Sequence, residues 1–483
     1  MKSLCLSILL LASLAGLPAH AQHPDRSQPP KLGPPPALTL KPVQHLKLSN
    51  GLHVLLYEKH EVPLVHLDLV VKTGAVQDPA GKGGLASMTA ALMMEGAGSR
   101  NALELADAID FLGAQLNVSA GQHTTAVALH TPLARLDSAL ALMADVTLRP
   151  TLPAAELERK RTERLTTLMQ WRDEPRALAS VAFNRALYGD HPYGRHSIGD
   201  EAALRSFSPA DVKSFYRGSF GPNNATVIGV GDVTVKTVLP KLEKAFGNWK
   251  NVTPSTVSLP KINQVSGRRV ILVDKPGAPQ SEIRIGRIGV PRMTDDYYAL
   301  TVMNTILGGS FSSRLNQNLR EKHGYTYGAG TRFDFRPLPG PFLASAAVQT
   351  AVTDSSLIEF FKELRGILEL VPQQELDRAR NYVALSFPGE FQSVAEISSH
   401  LEELVIYGLP DDYFNGYIGH ILAVTQADVQ RVARKYLDPE KVEIVVVGDR
   451  AQIEKNIEAL KLGPITVMSI EDVLGKAPIL GEK

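Results

Sequence analysis

The stretch Leu319-Arg320-Glu321-Lys322-His323-Gly324-Tyr325-Thr326-Tyr327-Gly328 gathers the side chains best suited to chemistry in this sequence. An arginine fork can fix a peptide by its carbonyl oxygens, and a phenol can donate toward an oxygen that is gaining negative charge. Arg320 and Tyr327 stand seven positions apart. The same residues also have a plainer reading. Arg320, Lys322 and His323 suit the negative end of a helix closed by Gly324, and Tyr325 and Tyr327 suit the strand that follows. Spacing alone leaves both open.

Elsewhere the reactive residue types are scattered. His123 and His130 fall an odd number of positions apart on an expected strand, hence on opposite faces. His191 and His196 flank Pro192 and Gly194 in what reads as a polar surface loop, and His66 and Asp68 share a strand face with no third ligand nearby. Glu95 reads as a helix-end residue. A Gly-x-Ser-x-Gly elbow, a Ser-x-x-Lys pair in a convincing context and a usable thiol are all missing, which argues against nucleophilic catalysis. Gly81-Lys82-Gly83-Gly84 lacks the spacing of a phosphate loop and reads as a turn. Arg159-Lys160-Arg161, alternating with Glu156, Glu158 and Glu163, reads as a solvated helix face. Trp171 and Phe183 read as core, Asp232 and Asp449 as turn or cap residues.

The amino terminus sets an expected compartment. Residues 1–21 read as a signal peptide: Lys2, an apolar run too short to span a bilayer, and an A-x-A-like site ending at Ala21. The only cysteine, Cys5, would leave with it, so the mature chain is expected to hold no disulfide and no thiolate metal site. A periplasmic or secreted location follows. With 51 Lys+Arg against 50 Asp+Glu there is no basic field for nucleic acid, and no later stretch is apolar enough to cross a membrane. The proline-rich residues 22–43 read as a tether.

The elements that must position these residues come twice. Ser208-Pro209-Ala210-Asp211-Val212 and Thr425-Gln426-Ala427-Asp428-Val429 each lead, through a helix, to an apolar strand ending in Gly-Asp. The interval between the aspartates is 21 residues in both copies, and the copies lie 217 apart. Glu156-Leu157-Glu158-Arg159 and Glu375-Leu376-Asp377-Arg378, like Leu187-Tyr188-Gly189 and Ile406-Tyr407-Gly408, repeat at an offset of 219. This is a tandem duplication. Alternation and helical periodicity predict a hairpin around Asn50-Gly51, strands at 64–71, 125–129, 281–288 and 343–348, and helices at 84–94, 102–112, 154–171, 297–307, 357–370 and 375–385. The expected fold is an α/β (α+β) sandwich of two tandem homologous domains, 44–247 and 265–470, each a mixed sheet with helices on one face. Residues 248–264 read as a linker and 471–483 as a tail.

Asn50-Gly51-Leu52-His53-Val54, Lys72-Thr73-Gly74-Ala75 and Gly83-Gly84-Leu85-Ala86 resemble the opening of pitrilysin/insulinase-type metallopeptidases, with mitochondrial processing peptidase and bacterial two-domain relatives the nearest in pattern. The resemblance runs from about residue 43 to 470. In that family the next helix carries H-x-x-E-H, two zinc-binding histidines and a glutamate that polarises water, and a further glutamate on a later helix completes the metal shell. Here the matching residues are Ser87-Met88-Thr89-Ala90-Ala91, and Thr167 falls where the distal carboxylate is expected. Ser87, Ala90, Ala91 and Thr167 thus form a degenerate motif that should hold no metal.

The resemblance also implies roles in the second repeat. Arg320 would grip a substrate carbonyl, Tyr327 would donate to the scissile carbonyl oxygen, and Arg314 would be structural or near the substrate. The expected function is the non-metal subunit of a two-subunit peptidase: no cofactor of its own, zinc in a homologous H-x-x-E-H partner, peptides as substrates, Arg320 and Tyr327 supplied in trans. The alternative is a catalytically silent peptide-binding or scaffold protein of the same fold.

Overall fold

The computed structural model describes Gly33 and residues 38–254 and 257–479; the expected signal peptide and most of the tether lie outside the described residues. In the first repeat the strands of the large sheet are β1 (Gln44–Lys47), β2 (His53–Glu58), β3 (Leu64–Val71), β4 (Gln115–Ala120), β5 (Thr125–Pro132) and β6 (Ala225–Gly231). They form one mixed sheet in the order β1-β2-β6-β3-β5-β4. The helices that matter are α1 (Leu85–Met93), α2 (Ala102–Phe111), α3 (Leu136–Leu148), α4 (Ala154–Trp171), α5 (Pro175–Tyr188), α6 (Pro209–Ser219) and α7 (Val235–Phe246).

The second repeat contributes β7 (Arg269–Asp274), β8 (Gln280–Ile288), β9 (Thr326–Phe333), β10 (Pro341–Gln349), β11 (Glu443–Gly448) and β12 (Ile465–Met468), ordered β9-β10-β8-β11-β7-β12. Position for position the two sheets match. β2 runs parallel to β6 as β7 does to β11. Only the outer strand differs: β1 is the first arm of a hairpin, antiparallel to β2, whereas β12 returns from the carboxyl end parallel to β7. The accompanying helices are α8 (Tyr297–Asn304), α9 (Thr353–Gly366), α10 (Gln373–Ser386), α11 (Val394–Tyr407), α12 (Tyr413–Ala423) and α13 (Gln426–Tyr436).

The repeat signatures have local physical causes. Ser208 and Thr425 each accept from the backbone N–H three residues on, while Asp211 and Asp428 accept from the cap residue's own N–H, two matching capping boxes. The helix expected over 297–307 stops at Asn304 and widens into a turn over 305–309. There a Cβ on Gly308 would come within 2.3 Å of the Thr331 nitrogen, so only glycine admits β9.

Each sheet is buried on both faces, and one of those faces is covered by the other repeat. Val54, Leu56, Leu67, Leu69 and Val127 point into a core made by the first repeat's own helices. Leu55, Tyr57, Val70, Ile228 and Val230 point the opposite way, into a core shared with Ile397, Leu401 and Leu404 of α11. Reciprocally, α5 lays Leu178, Val181, Ala182 and Phe183 on Leu343, Val445 and Val447 of the second sheet. The repeats therefore exchange equivalent helices, and the described residues from 38 onward pack as one compact unit. Gly286 on β8 makes room for this: a Cβ there would lie 2.7 Å from Phe183 Cζ and 2.1 Å from the Phe342 carbonyl oxygen.

Candidate functional site

The metal-motif positions sit at the start of α1. Gly84, with φ of 91°, begins that helix, and the buried Asp78 carboxylate accepts from the N–H groups of Gly84 and Ala86, both at 2.7 Å. Burial raises the Asp78 pKa to about 6. Residues 197–199 are pressed against this end of the helix. A Cβ on Gly84 would lie 2.6 Å from Gly199 N, and one on Gly199 would lie 2.3 Å from the Gly83 carbonyl oxygen.

Ser87 Oγ donates to the Ser197 carbonyl and accepts from Nη1 of Arg164, on α4, at 3.0 Å. The same nitrogen reaches the carbonyls of Gly84 at 3.2 Å and Ile198 at 3.3 Å. Burial pushes the Arg164 pKa down to about 10, against the pull of the Asp78 and Glu163 carboxylates. A guanidinium thus stands beside Ser87, the residue that the sequence resemblance sets at the first histidine position. Sequence reading passed over Arg164; the signal was its place on α4 three residues before Thr167, on the same face. Thr167 itself donates to the Glu163 carbonyl of its own helix. Ala90 is buried and Ala91 half-buried.

These residues do not fit a zinc ion. Zinc requires imidazole, thiolate or carboxylate donors, whereas a hydroxyl and two methyl groups stand here with a permanent cation 3.0 Å from the hydroxyl. Among the described residues no group of three or more His, Cys, Asp or Glu is placed to hold a metal.

In the second repeat the helix carrying Arg320 ends at Lys322, and Gly324 (φ 65°) turns the chain into β9. The register of β9 against β10 shifts between Thr326 and Ala329, because Thr326 Oγ1 folds back to bond the Ala347 carbonyl at 2.6 Å and Gly328 N–H at 3.1 Å. This bulge throws Tyr327 outward, 92% exposed. Tyr325 instead stacks on His323, ring centroids 4.9 Å apart, so Tyr327 is the free phenol.

Tyr327 borders a cavity of about 720 Å³ lined by β8, β9, β10 and the start of α5, including Arg176, Glu282, Arg284 and Arg332. Arg320 does not line it. Its guanidinium lies under the exposed Phe311 ring, 4.4 Å from the centroid, and 3.4 Å from Glu321 Oε1. Arg314 is tied to Glu375 Oε2 at 2.7 Å, which makes it a clamp between its turn and α10. The structure therefore separates three residues that the sequence grouped. It brings to Tyr327 three arginines that sequence reading did not single out.

Several blander readings need correction. His191 is a buried residue, not surface loop polarity, and its Nδ1 accepts from Tyr193 N at 3.1 Å. His196 packs edge-on against Trp171, and burial lowers its pKa to about 4. His123 precedes β5 and bonds the Tyr193 hydroxyl. His66 and Asp68 have further neighbours after all: His130 faces His66 across β3–β5 at 3.4 Å, and Ser398 of α11 donates to Asp68. Arg159 and Lys160 are more than solvated, since both pair with Glu95 and hold α4 to the end of α1. Asp449 does cap a helix.

Comparison with known proteins agrees with this layout. Residues 53–201 match the family described as insulinase (peptidase family M16), and residues 206–383 match the peptidase M16 inactive domain. A Rickettsia bellii protein named as an uncharacterised zinc protease is 23% identical over 83% of this chain and 96% of its own length. A Mycobacterium leprae protein of like description is 28% identical over 59% of this chain and 65% of its own. Among solved structures, a peptidase M16 inactive domain from Pseudomonas fluorescens superposes with a TM-score of 0.78 at 26% identity, covering 84% of this chain and 98% of that one. The first half of the Escherichia coli periplasmic protease PqqL superposes with a TM-score of 0.70 at 16% identity, over 90% of this chain and 100% of that one, which speaks for the fold alone. With residues 53–201 and 206–383 matched in chain order by two models of one peptidase family, this chain belongs to the insulinase-type M16 family.

Proposed function

We propose that this chain is the non-metal subunit of a two-subunit zinc peptidase, binding extended peptide and presenting Tyr327 to a homologous partner that carries H-x-x-E-H. The observation that supports it is the contrast between the two repeats. Where the metal motif would be, the Arg164 guanidinium stands 3.0 Å from Ser87 Oγ; where the second motif is, a 92%-exposed tyrosine stands over an open cleft. A solvent-exposed phenol on a bulge contributes nothing to this chain's own core. It suits a part in another molecule's chemistry.

The cleft also suits a peptide. β9 is the outermost strand of its sheet, the position at which an extended peptide would add, although Ala329 N–H there already donates to Asn316 Oδ1 at 3.3 Å and the turn at Gly308 packs against Thr331. The three arginines against one glutamate favour substrates with acidic side chains nearby. Zinc held by the partner would supply the polarised water. This chain's residues would fix the peptide backbone and place a hydroxyl near the carbonyl oxygen, a donor whose loss costs about 10²–10³ in rate. Arg320 joins this role only by leaving its place under Phe311. A periplasmic location goes with the reading.

The test is co-purification of the full chain with a homologous H-x-x-E-H protein from the same source, assayed on unstructured peptides. Activity should appear only in the mixture and fall about 10²-fold in Tyr327→Phe, while Tyr325→Phe keeps it. Equal activity with Tyr327→Phe would remove the catalytic part of the proposal. Peptide binding without turnover in any mixture would favour the scaffold reading.

A further inference from the structure

A cavity of about 1180 Å³ lies in the first repeat between α3, α6, α7 and the segment that follows α7. Small residues form part of its lining, Ala141 and Ala144 on α3 and Ala245 on α7. Its apolar wall is built from Leu140, Leu148, Phe220 and Trp249.

Its charge is lopsided. Two carboxylates line it, and both are already engaged: Asp145 by Arg100 and Arg149, Asp137 by Lys241. Arg217, Lys244 and Lys250 also line it and have no carboxylate partner among the described residues. Such an excess stands out in a chain whose formal net charge is +1.

We propose that this cavity binds an anionic amphiphile, a single long acyl chain ending in a carboxylate. The tail would displace water from Leu140, Leu148, Phe220 and Trp249, and the head would pair with Arg217, Lys244 or Lys250. The walls argue against a peptide here. They are largely helices whose main-chain groups are bonded within themselves, so an extended peptide would lose water from its amides and find no strand edge to replace it. An acyl chain brings no such groups. The site is separate from the Tyr327 cleft, and the inference stands whether or not the proposed peptidase role holds.

The chain has two tryptophans, Trp171 and Trp249, so Trp171→Phe leaves one reporter inside the cavity. Dodecanoate, kept below its micelle concentration, should change Trp249 emission saturably, and calorimetry on the unmodified chain should give the same affinity. The dissociation constant should rise about tenfold or more in Arg217→Ala/Lys244→Ala/Lys250→Ala and also on raising salt. Acetate, which lacks the tail, should not bind. Dodecanol binding as well as dodecanoate would overturn the proposal, as would saturable binding of an acidic peptide but not of dodecanoate. Because the dodecanol comparison uses the native chain, it decides the matter even if the triple variant folds poorly.

Discussion

Replacing Arg164 by methionine is the sharpest test of what fills the degenerate metal position. Two Nη1 hydrogens serve three acceptors, Ser87 Oγ and the Gly84 and Ile198 carbonyls, at 3.0–3.3 Å. Two hydrogen bonds from a charged donor contribute about 3–6 kcal/mol between them. Burial takes much of this back: a pKa lowered to about 10 corresponds to roughly 3 kcal/mol against the charged form. Methionine restores the stem's packing; the Gly84 carbonyl still accepts from Met88 N–H at 2.9 Å, but the Ile198 carbonyl loses its donor, a further cost of about 1–3 kcal/mol. The net expectation is a loss of about 1–6 kcal/mol, read from urea unfolding of Arg164→Met at neutral pH with an unchanged slope. Limited proteolysis should show faster cleavage near residues 196–199, which Arg164 anchors through Ile198. Zinc affinity should not appear, since removing a cation adds no donor. A variant as stable as the native chain, or more so, would refute the reasoning and mark Arg164 as a buried charge the fold merely tolerates.

Other outcomes follow from the seam between the repeats. Burial, with Asp68 and Glu403 nearby, lifts the Glu402 pKa from 4.5 to about 7. The folded chain therefore holds that proton more tightly than the unfolded one, a contribution present in full below about pH 4.5 and lost as pH rises through 7. Glu402→Gln should thus be more stable than the native chain at pH 8, by at most about 3 kcal/mol, and nearly equal to it at pH 4.5, as read by denaturant titration at the two values. Phe183→Ala empties a fully buried position on the exchanged helix and should cost about 3–5 kcal/mol in the same assay. Gly286→Ala should also destabilise, since its Cβ would meet the Phe342 carbonyl oxygen at 2.1 Å. A fragment of residues 38–254 would expose Leu55, Tyr57, Val70, Ile228 and Val230; it should bind a hydrophobic dye and unfold without a sharp transition.

Much of this protein was legible in its sequence because the determining interactions are local. Strand 64–71 and helix 154–171 have the bounds their periodicity predicted, for alternation and helical spacing act over a few residues. The duplication showed in the capping motifs Ser208/Asp211 and Thr425/Asp428, which close within one helical turn. That Ser87, Ala90, Ala91 and Thr167 carry no imidazole, thiolate or carboxylate is a matter of residue type and needs no fold to be read. Tertiary structure alone decided the rest. That α5 and α11 change places depends on which exposed sheet face is left for each to cover, and no local pattern encodes a partner some 200 residues away. The same distance hid the meeting of Arg164 with Ser87 and of Ser398 with Asp68, and it hid the arginines around Tyr327. It also parted Arg320 from Tyr327: residue spacing sets where each side chain starts, but Phe311 and the Thr326 bulge set where each one ends.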